Sequence, residues 1–212
     1  MNTLDPVEIL DAGSEGLLGR RLTTSERDRM LAYLQLLQRW NAAYNLTAIR
    51  DPLEMVTRHL LDSLAILPWV TAGPVLDAGT GAGLPGIPLA ILCPELQFTL
   101  LDSAGKKVRF LRQVKRELEL GNIQPLQARL ETHLPPQPYG IIISRAFASL
   151  QDFAAASRQL MSENTQLLAM KGRDPEDECK DLPDWIKVDS VQQLVVPGLQ
   201  QQRHLVMMSL TQ

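Results

Sequence analysis

The spacing of apolar positions divides the chain into two grammars. Up to about residue 70 the pattern is helical. Asp5 followed by Pro6 is a helix-start signal, the acid as cap and the proline at the first helical position, and Thr24 or Ser25 is placed to cap a longer helix. In that second helix Met30, Tyr33, Leu34, Leu37 and Trp40 recur at helical spacing while Gln35, Gln38 and Arg39 fall on the other side, which predicts one buried face. Asp51-Pro52 repeats the start signal for a third helix carrying His59 and Asp62, broken by Pro68 and Gly73. From Gly73 onward short apolar runs alternate with helical stretches. Strands are predicted at 74–77, 98–102, 123–127, 141–144 and 166–170, and helices at 85–93, 106–120 and 153–161. Two further strand-like runs, 188–196 and 204–210, flank Pro197-Gly198 and read as a hairpin closing one sheet edge. This alternation predicts an α/β fold, a doubly wound and mostly parallel sheet with an N-terminal helical extension. The extension is expected over residues 1–70 and the sheet domain over 71–212.

Composition narrows the class. With 212 residues, 45% hydrophobic and 21% charged, the chain is expected to bury one sizeable core, which excludes disorder as its main state. Its longest apolar stretches, 64–70 and 87–93, are short and interrupted by proline, so no membrane span is expected. The start, Met-Asn-Thr-Leu-Asp-Pro, lacks the charged and apolar regions of a secretory signal, and a cytoplasmic location is expected. Cys93 and Cys179 are far apart, without C-x-x-C spacing, and only His59, His133 and His204 could join them, so no metal and no disulfide framework is expected.

The formal net charge of −3 hides a local asymmetry. Lys106, Lys107, Arg109, Arg112, Lys115 and Arg116 fall within residues 103–116, which contain no acid, and Arg109, Arg112 and Arg116 share a helix face opposite the apolar stripe. Such a run is either an ordinary solvated face or a track for phosphate, and its position beside a ligand-type loop favours the second. Arg20, Arg21, Arg27 and Arg29 could extend the track, whereas 174–184 is acidic.

That loop is the most informative stretch. Asp77-Ala-Gly79-Thr-Gly81-Ala-Gly83-Leu-Pro-Gly86 follows a buried strand directly, where glycines allow a tight turn and close approach of a ligand to backbone amides. The acid before the glycines, Asp77, gives D-x-G-x-G-x-G, which resembles the first motif of S-adenosylmethionine-dependent methyltransferases. A cationic methyl donor favours a carboxylate there. Asp102, ending the next strand, is placed to accept hydrogen bonds from both ribose hydroxyls of an adenosine ligand, as it would for NAD. The terminal hairpin resembles the reversed seventh strand of the methyltransferase sheet and separates the two possibilities.

Longer strings carry a closer resemblance. Asn45-Leu-Thr-Ala-Ile-Arg50, Arg58-His-Leu-Leu-Asp-Ser-Leu64, the glycine loop continued through Leu84-Pro-Gly-Ile-Pro-Leu89, Leu100-Leu-Asp-Ser103, Ser144-Arg-Ala-Phe-Ala-Ser-Leu150 and Met170-Lys-Gly172 look like the RsmG (GidB) family, collinearly from about Leu22 to the C-terminus. These are bacterial methyltransferases of small-subunit ribosomal RNA. The resemblance implies a class I, Rossmann-like methyltransferase that moves a methyl group from S-adenosyl-L-methionine to nitrogen 7 of a guanine, guanine 527, in the 530 loop of 16S ribosomal RNA. It places Gly79 and Leu84 at the cofactor, Leu130 and Glu131 at its adenine end and Arg145 near the reaction centre, beside the motif residues Asp77, Gly81, Gly83 and Asp102. Lys106, Lys107, Arg109, Arg112, His59 and Arg145 are the expected substrate-binding residues; His59 and Asp62, three apart on a helix, equally fit a structural lock. Nitrogen 7 has a free lone pair and no proton, so no general base and no assigned catalytic residue is needed. Arg145 is expected to bind phosphate, guanine oxygen 6 or the cofactor carboxylate. Expected partners are 16S ribosomal RNA or the small subunit, with the protein a monomer. Two alternatives stay open: an NAD-type oxidoreductase, and a non-catalytic RNA-binding assembly factor.

Overall fold

A computed structural model describes residues 5–145 and 147–211, leaving Ala146 of the Ser-Arg-Ala-Phe string outside. Helix α1 (Pro6–Leu18) begins in a reciprocal capping box: the Asp5 carboxylate accepts the Glu8 N–H at 2.8 Å and Glu8 accepts that of Asp5 at 3.2 Å. Helix α2 (Thr24–Tyr44) repeats the device with Thr23 and Glu26. Its cap therefore lies just before the expected Thr24 or Ser25, because only Thr23 has a glutamate three residues on. Met30, Tyr33, Leu34 and Leu37 are buried as their spacing predicts. The expected third helix is continuous but not uniform. Between α3 (Pro52–Met55) and α4 (Asp62–Leu64), residues Val56–Leu61 widen into a π-helical turn. Helix α1 crosses that turn closely, since a Cβ on Gly13 would stand 2.3 Å from Leu61.

Seven strands follow: β1 (Val75–Ala78), β2 (Phe98–Asp102), β3 (Ile123–Gln127), β4 (Ile141–Ser144), β5 (Gln166–Lys171), β6 (Ile186–Leu194) and β7 (Arg203–Leu210). Their order is β3-β2-β1-β4-β5-β7-β6. The first five are parallel, and β7 runs antiparallel between β5 and β6. Helices α5 (Gly86–Leu92), α6 (Gly105–Glu117), α7 (Leu150–Ser157) and α8 (Glu176–Lys180) complete the chain. Helix α7 starts earlier than predicted, where Ser149 caps the Asp152 N–H, and passes into a 3-10 turn at Arg158–Leu160. Helix α8 lies in the acidic segment, where no helix was expected.

Strand residues alternate between two cores. Val75, Leu100, Ile123, Ile141 and Leu168 pack with α5, α6 and the N-terminal helices; Leu76, Leu101, Ile142, Leu167 and Val206 pack with Leu150 and Phe153 of α7. The chain leaves β1 toward β2 on one side and enters β4 on the other. That switch point opens a crevice at the carboxyl ends of the strands, where ligands bind in open α/β sheets.

Candidate functional site: two clefts at the carboxyl edge

Asp77, 1% exposed, ends inside the sheet and organises the loop that follows. Its Oδ2 accepts the Thr80 hydroxyl at 2.6 Å and the Gly86 N–H at 2.7 Å, while Oδ1 is buried with no hydrogen-bond partner among the described residues. Burial pushes this carboxyl up to about 6, against the pull of the Thr80 and Gly86 hydrogen bonds. From the far side the Tyr33 hydroxyl of α2 donates to Ala82 O at 2.8 Å. Gly79, Gly81 and Gly83 all have positive φ, for two different reasons. At Gly81 (φ +62) an added Cβ would meet only Gly79 O, at 3.9 Å, so the backbone conformation demands glycine. At Gly83 (φ +96) it would also strike Ile87 at 2.4 Å and Leu111 at 2.9 Å. Gly83 thus serves packing, as does Leu84, which is 8% exposed within the core.

A first cleft, of about 250 Å³, lies beyond the ends of β1, β2 and β3. It brings together four of the expected cofactor residues, Gly79, Asp102, Leu130 and Glu131, and also Lys107, which was expected on the substrate side. Leu101, Ala128, Leu130 and Phe147 supply apolar wall, and Asp102 and Glu131 supply carboxylates. Asp102 is busier than its position suggested. Its Oδ2 accepts the Gly81 N–H at 3.0 Å and the Lys107 ammonium at 3.1 Å, and its Oδ1 accepts the Ala104 N–H at 2.9 Å. A carboxylate offers about four lone-pair sites, so a ribose diol gains two hydrogen bonds here only when Lys107 withdraws. Sequence reasoning missed Phe147, Ala128 and Arg129. Phe147 belonged to a quoted string, and the other two directly follow β3, where the strand-end rule points.

A second cleft, of about 170 Å³, lies beyond β4 and β5 and is lined by Asp62, Arg145, Met170, Lys171, Gly172 and Arg203. Arg145 therefore sits apart from the residues of the first cleft. Arg203 Nε donates to Asp62 Oδ1 at 2.8 Å, and Arg145 Nη1 stands 3.3 Å from Asp62 Oδ2, an ion pair too poorly aligned to be a hydrogen bond. Lys171 is paired with Glu178 at 2.9 Å and donates to Ala148 O.

His59 is 3% exposed, and both its ring nitrogens are engaged: Nδ1 lies 3.1 Å from Arg58 O and Nε2 lies 2.9 Å from Thr47 Oγ1. A carbonyl can only accept, so Nδ1 carries the proton and Nε2 accepts from the hydroxyl. Both nitrogens are thus engaged within the helical extension, the geometry that the structural alternative for His59 describes. Burial and the Arg145 charge push the imidazole down to about 4. A folded-state pKa below the unfolded 6.5 gives stability that is present at neutral pH and lost as pH falls toward 4. The stability gap between wild type and His59→Asn, read by urea melts, is expected to narrow by roughly 2–3 kcal/mol from pH 7.5 to pH 4.5. A gap constant with pH refutes the neutral lock.

The basic residues separate into distinct groups. Arg109 and Arg112 are exposed on α6 and line neither cleft. Lys106 donates to Tyr44 O at the end of α2. Arg20, Arg21 and Arg27, which could extend the basic track, each have an acid beside them, Glu26, Glu15 and Asp11 at 2.8, 3.1 and 3.4 Å, so their charges are locally balanced. Among the described residues no His, Cys, Asp and Glu group could hold a metal ion, and no helix is long and apolar enough to cross a membrane.

Five parallel strands, a reversed strand inserted before the last edge, a glycine loop after β1 and an acid ending β2 define the Rossmann-like methyltransferase fold. A crystal structure of a SAM-dependent methyltransferase from Aquifex aeolicus has the same fold, with a TM-score of 0.56 at 18% identity over 78% of this chain and 97% of that one. The profile of the GidB family, described as rRNA small subunit methyltransferase G, matches residues 26–206, and the chain belongs to this family. It is 53% identical over 203 residues to the ribosomal RNA small subunit methyltransferase G of Ectopseudomonas mendocina (strain ymp), covering 95% of this chain and 94% of that one. It is 51% identical over 209 residues to the protein of that name from Pseudomonas fluorescens (strain Pf0-1), covering 99% and 97%. Membership of a methyltransferase family sets aside the nicotinamide alternative.

Proposed function

We propose that this protein transfers a methyl group from S-adenosyl-L-methionine to nitrogen 7 of guanine 527, in the 530 loop of 16S ribosomal RNA. The observation that carries the reading is the pair of unlike clefts flanking the switch point, one acid-rimmed with apolar walls, the other cationic. S-adenosyl-L-methionine is the cofactor, and the residues present fit it. Asp102 suits ribose hydroxyls, Leu130, Glu131 and Phe147 suit the adenine end, and Gly79 and Gly81 let the loop come close to the ligand. The orphaned Asp77 Oδ1 supplies a negative field beneath that loop, suited to a cationic ligand. When bound, the cofactor supplies an electrophilic methyl group on a sulfonium.

The acceptor side also fits a nucleophile that needs no base. Asp62, a carboxylate of the second cleft, is tied to two arginines, and neighbouring His59 is sealed. Arg145 holds an RNA oxygen, while Lys106, Lys107, Arg109 and Arg112 attract the phosphate backbone. The helical extension, residues 1–70, supports the domain of residues 71–212 by supplying Tyr33 to the loop and Asp62 to the second cleft. The protein acts in the cytoplasm as a monomer.

Purified protein incubated with tritiated S-adenosylmethionine and transcribed 16S RNA, free or assembled into 30S particles, should label one 530-loop guanine at nitrogen 7. Label at another atom, or none on either substrate, overturns the reading. Gly81→Val should weaken S-adenosylhomocysteine binding at least tenfold by calorimetry with the melting transition retained, because a β-branched residue resists φ > 0; unchanged affinity removes the loop from the cofactor site. The double variant Arg109→Glu, Arg112→Glu should bind RNA more weakly, with a log–log salt slope shallower by about 1–2. A slope equal to wild type makes that face merely solvated.

A further inference from the structure

Asp62 lies beneath the second cleft, 2% exposed, where a lone carboxylate would be costly. Its oxygens are divided between two distant elements. Oδ1 takes Arg203 Nε from β7, and Oδ2 faces Arg145 Nη1 just past β4. The two guanidiniums are not equivalent. Arg203 also spends Nη1 on Gln202 O at 2.9 Å, whereas the Arg145 side chain is 26% exposed and makes no hydrogen bond among the described residues, its buried Nη1 facing Asp62 and the rest of the guanidinium uncommitted. Arg145 is thus the member of the trio with donors to offer. Glu178 compensates Lys171, and His59 is neutral, so Asp62 reduces the cleft from two uncompensated positive charges to one.

That reduction has a chemical meaning if the cleft receives a purine nitrogen. The nitrogen lone pair forms the new bond to the methyl carbon, and the carbon–sulfur pair stays on sulfur. No proton moves, and positive charge passes to the ring. Cations gathered to attract RNA oppose that arrival, most strongly in a site shielded from water. We infer that Asp62 is the positioning residue of the acceptor cleft: it clamps Arg145 against Arg203 so that Arg145 meets the RNA in one orientation, and it cancels charge that would oppose the cationic product. The inference rests on the methyl-transfer reading above.

The test compares steady-state methylation of 30S particles assembled on transcribed 16S RNA by wild type, Asp62→Asn, Asp62→Glu and the double variant Asp62→Asn, Arg203→Gln. In Asp62→Asn, kcat should fall roughly 30-fold while the KM for RNA stays level or drops, because the cleft becomes more cationic as it becomes less able to accept charge. S-adenosylhomocysteine affinity should match wild type. Asp62→Glu should recover part of kcat. The double variant restores the charge balance and should exceed Asp62→Asn in kcat; it also keeps the test readable if the single variant, with two guanidiniums unpaired, is unstable. Were that so, the double variant is expected to stay within about tenfold of the wild-type kcat. A raised KM with kcat retained, or a double variant that is folded but no faster than Asp62→Asn or more than tenfold below wild type, overturns the inference. Failure of the wild type to label RNA overturns the reading it rests on instead.

Discussion

The Asp77→Asn variant should melt roughly 2–5 °C above the wild type at pH 7.5 without ligand, yet bind S-adenosylmethionine at least tenfold more weakly. Asp77 is fully enclosed, and one of its oxygens has no hydrogen bond. The rise from an ordinary 3.8 to about 6 corresponds to about 3 kcal/mol of strain on the ionised form. The sign is opposite to that of a salt-bridged carboxylate. Because the folded-state pKa lies above the unfolded one, the cost is full at neutral pH and fades as pH falls through 6. Asparagine keeps an oxygen for Thr80 and Gly86 and removes the charge, while its NH2 takes the place of the unpartnered Oδ1 and gives back about 1–2 kcal/mol of the gain; the remaining melting advantage should shrink below pH 6. A lower melting temperature for the variant at pH 7.5 would falsify the burial argument. Unchanged affinity would show that the field of Asp77 does not reach the cofactor.

Gly83→Ala is expected to cost about 3–5 kcal/mol, lowering the melting temperature by roughly 10 °C or more, with cofactor binding lost only to the extent that the fold is lost. Two penalties add. The residue needs φ +96, and the new methyl would lie 2.4 Å from Ile87 and 2.9 Å from Leu111, both without exposed surface. Gly81→Val is the informative contrast. A Cβ there meets nothing nearer than Gly79 O at 3.9 Å, so the variant's defect should appear in ligand affinity more than in stability. Equal melting temperatures for Gly83→Ala and wild type would mean that α5 and α6 yield more easily than their packing implies.

Legibility followed the range of the interactions. The strands at 98–102 and 141–144 were readable because short apolar runs were bounded by glycine, acid or polar residues, all local features. The first cleft was half readable: Gly79 and Asp102 follow from strand-end chemistry, whereas Phe147 enters from beyond β4. The second cleft was legible residue by residue, since all its lining except Arg203 stands in the quoted strings, but not as a cluster. Asp62 and Arg203 are 141 positions apart, and nothing near either one announces the other. Charge balance was hidden for the same reason. Arg20, Arg21 and Arg27 read as a cationic extension because their acids, 6 and 16 positions away, lie one or more helical turns off. The π turn left no trace, since Val56–Leu61 carries the same apolar spacing that an α-helix would.

The packing of α2 also fixes when, during synthesis, the first helices can finish folding. Tyr33 rests 6.3 Å from the ring of Phe110 and Trp40 lies 5.6 Å from it, and the Tyr33 hydroxyl reaches Ala82. All these partners emerge from the ribosome later, Phe110 last. The capping boxes let α1 and α2 form early, and α1, α3 and α5 cover part of α2 before α6 arrives, but the aromatic cluster of Tyr33 and Trp40 is completed only when Phe110 is made. From the completion of α2 at Tyr44 to that of α6 at Glu117, about a third of the 212-residue chain is synthesised with this aromatic face of α2 still open.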